Sequence, residues 1–226
     1  SSACTWTTSV SVGWLDWLDW LGRHREVDET RWVVLDVETS GLDPARDRLL
    51  AIAAIAVRVD WAAKRLAIVP ADSFEVVLRQ QQASAVDNIL LHGIGAQRQR
   101  DGVPAGEALG ALQAWCGKSP LLAFHAAFDR ALIERYARPE LGAAWSPPWL
   151  DIEHLCAVTH ESVAARSLDE WMAYFGIHCA LRHQAAADTL AECEVLLRVW
   201  PRIAAECRSW RDVARLAARQ RWIARA

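Results

Sequence analysis

The sequence predicts an α/β fold: one mixed sheet, begun by an antiparallel meander, continued by parallel strands and flanked by helices. Three observations predict it. Three strand-like apolar runs follow one another early, at residues 32–38, 49–59 and about 65–78, separated by turn-forming stretches. From there on, short buried-strand patterns alternate with longer helical ones, the arrangement that places helices on the faces of a sheet. Finally, 226 residues with 53% apolar content are enough to bury one sizeable core.

Residues 9–21 read as a short helix holding Trp14, Leu15, Trp17, Leu18, Trp20 and Leu21, interrupted only by Asp16 and Asp19. Such a helix has to bury most of its surface. It belongs to an N-terminal extension, residues 1–30, docked on its own domain or on a partner, either a second copy or another protein. In the first strand, residues 32–38, Val33, Leu35 and Val37 share one face, while Asp36 and Glu38 share the other. SGLDPARD is turn chemistry, and a turn at residues 60–64 leads into a third strand broken at Pro70. A helical section follows, best at Ala105–Cys116, then a short buried strand at 121–124 and a helix at 126–136. Trp149–Asp151 fits a brief fifth strand after Pro147 and Pro148. Helices at 167–175 and 184–200 complete the main domain, residues 31–200, with Pro201 expected to stop the second. Residues 201–226 form a basic C-terminal segment, helical from about 205.

The net charge of −3 names no partner, but its distribution is uneven. From residue 198 onward eight arginines stand against Glu206 and Asp212, a local +6, so the rest of the chain carries −9. Arg208, Arg211, Arg215 and Arg219 recur at helical spacing and form one basic face, which is either simply solvated or a guide for a phosphate backbone. The six cysteines, at 4, 116, 156, 179, 193 and 207, include no C-x-x-C pair and read as reduced thiols, hence a cytoplasmic protein. No apolar run reaches the length of a membrane span, and the opening residues lack the basic start of a signal peptide.

Three distant stretches carry the chemistry: Asp36-Val37-Glu38, then Asp129 in LLAFHAAFD, then His183 with Asp188 in RHQAAAD. A strand aims Asp36 and Glu38 at one point. Asp129 follows a strand end, in the first turn of the next helix, where open sheets build their sites. Five residues of continuous helix turn through about 500°, which would leave His183 and Asp188 roughly 140° apart. They converge only if His183 lies in the loop before the helix and Asp188 on its first turns. Four carboxylates are suitable oxygen donors for two divalent cations about 4 Å apart, the inventory for phosphodiester hydrolysis. A neutral imidazole near pH 7 can take a proton from water. Each piece alone is bland: Asp36 and Glu38 a solvated face, Asp129 a helix N-terminal acid, His183 a surface residue and Asp188 an ordinary helical acid.

As a set, DVETSGLDP, FHAAFD and HQAAAD resemble the three motifs of the DEDDh (DnaQ-like) 3′–5′ exonucleases, whose fold is ribonuclease-H-like with a mixed five-stranded sheet. LLHGI, SLDEWMAYFGI and the trailing apolar helix extend the resemblance over residues 32–199. It implies Asp36, Glu38, Asp129 and Asp188 as ligands of two divalent ions, Mg²⁺ or Mn²⁺. His183 would be the general base, its spacing to Asp188 marking the histidine branch of the family. Hydrolysis would proceed stepwise from a 3′ end and release nucleoside 5′-monophosphates. Thr39, Ser40, Gly41 and Leu42 would approach the terminal nucleotide, with Leu42 wedged against its base, and His92 and Phe128 would flank it.

The expected partner is the 3′ end of a nucleic acid, with single-stranded DNA favoured over RNA. The alternatives are an RNA-trimming exoribonuclease of the same family, or a non-catalytic nucleic-acid-binding subunit, which the presence of all five motif residues disfavours. Two positions depart from many relatives: Phe124-His125 replaces His-Asn, and Ala51 replaces Glu. Both bear on substrate placement rather than on metal chemistry.

Overall fold

The structure, a computed structural model, describes residues 27–142 and 145–222; the helix expected over residues 9–21 lies outside them. Strands β1 (Arg31–Thr39), β2 (Leu49–Asp60) and β3 (Arg65–Val77) form the antiparallel meander. Strands β4 (Leu121–Ala123) and β5 (Trp149–Asp151) add in parallel beyond β1, giving the order β3-β2-β1-β4-β5. This is the mixed five-stranded sheet that the sequence predicts. Pro70 does not end β3. The pairing steps from Val69–Ala56 to Ser73–Ile55, so residues 70–72 bulge out of register. An edge strand tolerates this, because the missing proline N–H faces no neighbour.

The period of two along β1 assigns its side chains to two cores. Val33, Leu35 and Val37 pack with α3 (Ala105–Cys116) and α4 (Ala127–Leu141), through Leu109, Leu112, Leu132 and Ile133. Trp32 and Val34 face the opposite layer, made of α5 (Ile152–Thr159), α6 (Leu168–Phe175), α7 (Ala185–Glu206) and α8 (Trp210–Ala218). Two shorter helices, α1 (Val86–His92) and α2 (Ala96–Arg100), lie between β3 and α3. Ser167 and Glu170 close a reciprocal capping box on α6, which fixes where that helix begins.

Two expectations are corrected, and one helix is added. Pro201 does not stop α7, which continues to Glu206. An interior proline costs about 3 kcal/mol, but Trp200, Ile203 and Ala204 on either side of it are buried in the same core. Burying such side chains returns roughly 1.5–3 kcal/mol for each large one, enough to carry the helix past the break. The basic segment is therefore not one helix from residue 205: the chain breaks at Cys207 and Arg208, and α8 starts at the Ser209 cap. Finally, α5 was not anticipated; Asp151 ends β5 and at once caps this helix by accepting the Glu153 N–H.

Helix α8 shares the main core. Trp210, Val213, Leu216 and Ala217 are buried in it, and the Trp210 ring meets Trp32 edge-on at 5.0 Å. Arg208, Arg211, Arg215 and Arg219 are exposed, Arg215 near Asp212 (3.8 Å) and Arg219 near Glu206 (3.2 Å). Among the described residues no helix is long and apolar enough to cross a membrane.

Candidate active site

Asp36 and Glu38 continue the Trp32–Val34 face of β1, so they point toward the layer containing α7. Across the sheet they pair with Ala53 and Ala51, small residues that leave room above both carboxylates. After Glu38 the register shifts and the chain turns away. Glu38 accepts the N–H of Ala185, the first residue of α7, where the helix dipole favours an anion. Burial nonetheless pushes its pKa up to about 8, with the Asp188 charge adding to the shift.

The other acids meet there. Burial, and then the charges of Asp129, Glu38 and Asp188, drive the Asp36 carboxyl well above its ordinary range; Arg182 opposes the shift. Asp129 lies in the first turn of α4, directly after β4, and is buried. Its pKa is raised to about 8 by burial, against backbone hydrogen bonds from its own amide and from Val37. Asp188 is buried in the first turn of α7 and accepts the His183 N–H at 2.9 Å. His183 occupies the loop before that helix, exposed, with a φ of 63° that few non-glycine residues adopt. The helix geometry required this loop position of His183.

The four acids thus form one electrostatic cluster. Asp188 is also held by the Arg182 guanidinium, which bonds Asp169 at 2.6 Å on its other side. Among the described residues no group of three or more histidine, cysteine or acidic side chains is arranged to hold an ion. The donor chemistry does suit a hard divalent cation: oxygen atoms only, crowded together so that Asp129, Glu38 and Asp188 all raise the pKa of Asp36.

The turn after Glu38 is built around Asp47, which accepts from Ser40 Oγ (3.2 Å) and from the Asp43 N–H (2.8 Å). A Cβ on Gly41 would sit 2.5 Å from Asp47 Oδ2, so a larger residue here would have to displace the Asp47 carboxylate. Thr39 Oγ1 donates to the Gly41 carbonyl at 2.6 Å, and Leu42 projects outward, 92% exposed. Phe128 is half-buried against the Val33–Leu35 core.

His92 needs a correction. It is 3% exposed, its Nδ1 accepts the Ile94 N–H at 2.9 Å, and its Nε2 lies 2.9 Å from Asn88 Oδ1. That pattern puts the proton on Nε2 and leaves neither nitrogen for a nucleotide. Burial lowers its pKa, which keeps the ring neutral. Its effect is indirect: Asn88, steadied by His92, donates from Nδ2 to the Thr39 carbonyl at 2.8 Å.

Sequence reasoning missed three residues. Arg182 is one. Asp151 is another: its carboxylate accepts the N–H groups of His125 (3.0 Å) and Ala126 (3.1 Å), shaping the turn that launches Asp129. The third is Glu192, 2% exposed, one helical turn beyond Asp188 and within the field of the cluster. Its place four residues after Asp188, on the same helix face, was the available signal. A cavity of about 500 Å³ lined by Ala126, Arg130, Asp151, His154 and Ala217 opens beside the N-terminus of α4; none of the four acids lines it.

An exonuclease family model matches residues 33–196. This chain belongs to the DEDDh (DnaQ-like) exonuclease family. The PolC-type DNA polymerase III of Bacillus subtilis is 26% identical over 177 residues, 78% of this chain but 12% of that protein. A DNA polymerase III subunit epsilon-like protein of Rhodobacter capsulatus is 29% identical over 184 residues, 79% of this chain and 25% of that protein. The chain therefore spans at most a quarter of the length of these curated relatives. Among solved structures, exonuclease I superposes with a TM-score of 0.64 at 17% identity, covering 79% of this chain and 44% of that one. The E. coli exonuclease I complex with a dT13 oligonucleotide gives a TM-score of 0.63 at 18% identity over 77% of this chain and 42% of that chain. Both confirm the fold of this DEDDh domain. Exonucleases of this family act with divalent metal ions.

Proposed function

We propose that this DEDDh domain removes nucleotides one at a time from the 3′ end of single-stranded DNA, releasing nucleoside 5′-monophosphates. One observation carries the reading: Asp36, Glu38, Asp129 and Asp188, far apart in the chain, converge into one acidic cluster with His183 at its rim. Asp36, Glu38, Asp129 and Asp188 would hold two divalent ions, magnesium or manganese. Such ions, when bound, steady the negative charge on the attacking and departing oxygens.

The rest falls to the chain's own residues. His183, exposed beside Asp188, accepts the proton of the attacking water as that oxygen bonds to phosphorus and the 3′ oxygen leaves. Arg182 yields its hold on Asp188 when cations enter. Leu42 packs against the terminal base, while Asn88 holds the Thr39 carbonyl and thereby the shape of the turn. The arginine face of α8 draws in the trailing strand. Single-stranded DNA is preferred because the structural neighbour exonuclease I has been solved with a DNA oligonucleotide. The relatives named as DNA polymerase III make a polymerase the natural protein partner.

The test uses 5′-labelled DNA and RNA oligonucleotides with Mg²⁺, Mn²⁺ or EDTA. A ladder shortening from the 3′ end, faster on single-stranded DNA and absent with EDTA, is expected. Faster loss of RNA would move the assignment to an exoribonuclease, and no cleavage of either would remove it.

A further inference from the structure

Glu192 is a carboxylic acid enclosed in the protein and surrounded by other acids. It is 2% exposed, and its Oε2 accepts the N–H of Phe124 at 3.2 Å. Phe124 directly follows β4, and three residues later the chain is in α4, whose first turn presents Asp129. Glu192 itself sits four residues after Asp188 on α7, on the same face of the helix. One side chain therefore ties the helix that carries Asp188 to the strand end that launches Asp129. The same helix is anchored on β2, where Thr189 Oγ1 lies 3.3 Å from the Ala53 carbonyl, opposite Asp36. Around Glu192, burial and then the charges of Asp36 and Asp129 push the carboxyl well up, against the pull of the Phe124 N–H. A buried acid in such company is costly, and on the side of the helix away from Asp188 its buried neighbours Val195, Leu196 and Val199 are apolar. A plain packing role would be met by leucine.

We propose that Glu192 is a positioning residue of this exonuclease site: its bond to the Phe124 N–H sets the separation of Asp188 and Asp129, and with it the affinity for divalent cations. Residues behind metal ligands commonly have this effect, and losing one lowers affinity about 10–100-fold. The inference rests on the nuclease reading for its metal, but the bond itself can be probed separately.

The experiment compares the wild type with Glu192→Gln and Glu192→Ala by calorimetric titration with Mn²⁺ and by hydrogen exchange at the Phe124 amide. Glu192→Ala should bind Mn²⁺ at least about tenfold more weakly, and its Phe124 amide should exchange about fivefold faster or more, the factor for one lost hydrogen bond. Glu192→Gln keeps an acceptor for that amide and should restore both. If Glu192→Ala fails to fold, Glu192→Asp, which draws the carboxylate back by one methylene, should show the same losses in milder form.

Wild-type Mn²⁺ affinity in a folded Glu192→Ala protein would overturn the proposal. So would a Gln variant as weak as the Ala variant, since that would make charge, not the bond, the active property. A wild type that neither binds Mn²⁺ nor shortens DNA would instead sink the nuclease reading. The exchange rate at Phe124 would still decide the tether.

Discussion

Arg182 bridges Asp188 and Asp169, one guanidinium bonding a carboxylate of the acidic cluster and a second one outside it. It sits next to His183, and its charge opposes the raised pKa of both Asp36 and Glu38. Cations entering the cluster, as the proposed function requires, would compete with it for Asp188.

Replacing Arg182 by Gln should therefore separate two quantities. The metal-free protein should lose about 1.5–3 kcal/mol, the usual worth of a charged hydrogen bond in a partly buried place, seen as a lower Tm. Its Mn²⁺ affinity, measured by calorimetry, should rise several-fold. A variant that binds Mn²⁺ more weakly than the wild type would show that Arg182 helps to shape the ion site.

The pH dependence of stability follows from Glu38 and Asp129, both raised to about 8. An acid whose pKa is higher in the folded state binds more protons there than in the unfolded chain. Stability is then greatest below the unfolded value near 4 and declines as pH rises toward about 8. The metal-free Tm should fall between pH 5 and pH 8, and Mg²⁺ should flatten that slope while releasing protons on binding. A metal-free Tm that rises through this window would contradict the cluster.

His183 should matter to rate and not to ions. His183→Ala is expected to lose about 10²–10⁴ in kcat with Mn²⁺ affinity nearly unchanged, because its ring is exposed and only its backbone N–H reaches Asp188. Asp188→Asn should instead lose both metal binding and activity, and titration with Mn²⁺ distinguishes the two.

Asn88→Ala removes the bond to the Thr39 carbonyl. The expected cost is about 1 kcal/mol of stability and a higher KM for an oligonucleotide, with little change in kcat. An equal fall in kcat alone would place Asn88 in the chemical step.

The arginine face of α8 can be tested by replacing Arg208, Arg211, Arg215 and Arg219 with Gln. Affinity for long single strands should weaken, and the salt slope should drop by up to about 0.7 for each lost phosphate contact. Turnover of a dinucleotide should stay as it was. Unchanged affinity for long strands would leave this face a solvated one.

The parts of the site visible in the sequence were those set by local periodicity. Alternation along β1 fixed the common face of Asp36 and Glu38, and helix geometry required His183 to precede α7. What stayed hidden depends on distant packing. His92 in LLHGI gives no sign that Asn88 and Ile94 will occupy both of its nitrogens. Pro201 reads as a stop until Trp200 and Ile203 are seen in the core. Glu192 looks like one more helical acid until the fold brings Phe124 against it.

Glu29 accepts the backbone N–H of Trp210 at 3.1 Å, and the Trp32 ring is enclosed by Trp200 and Trp210. A recombinant fragment cut at residue 200 would keep every motif yet remove the Trp210 ring packed on the Trp32 indole. Such a product should be sticky and short-lived in solution, so the smallest version worth expressing runs through α8.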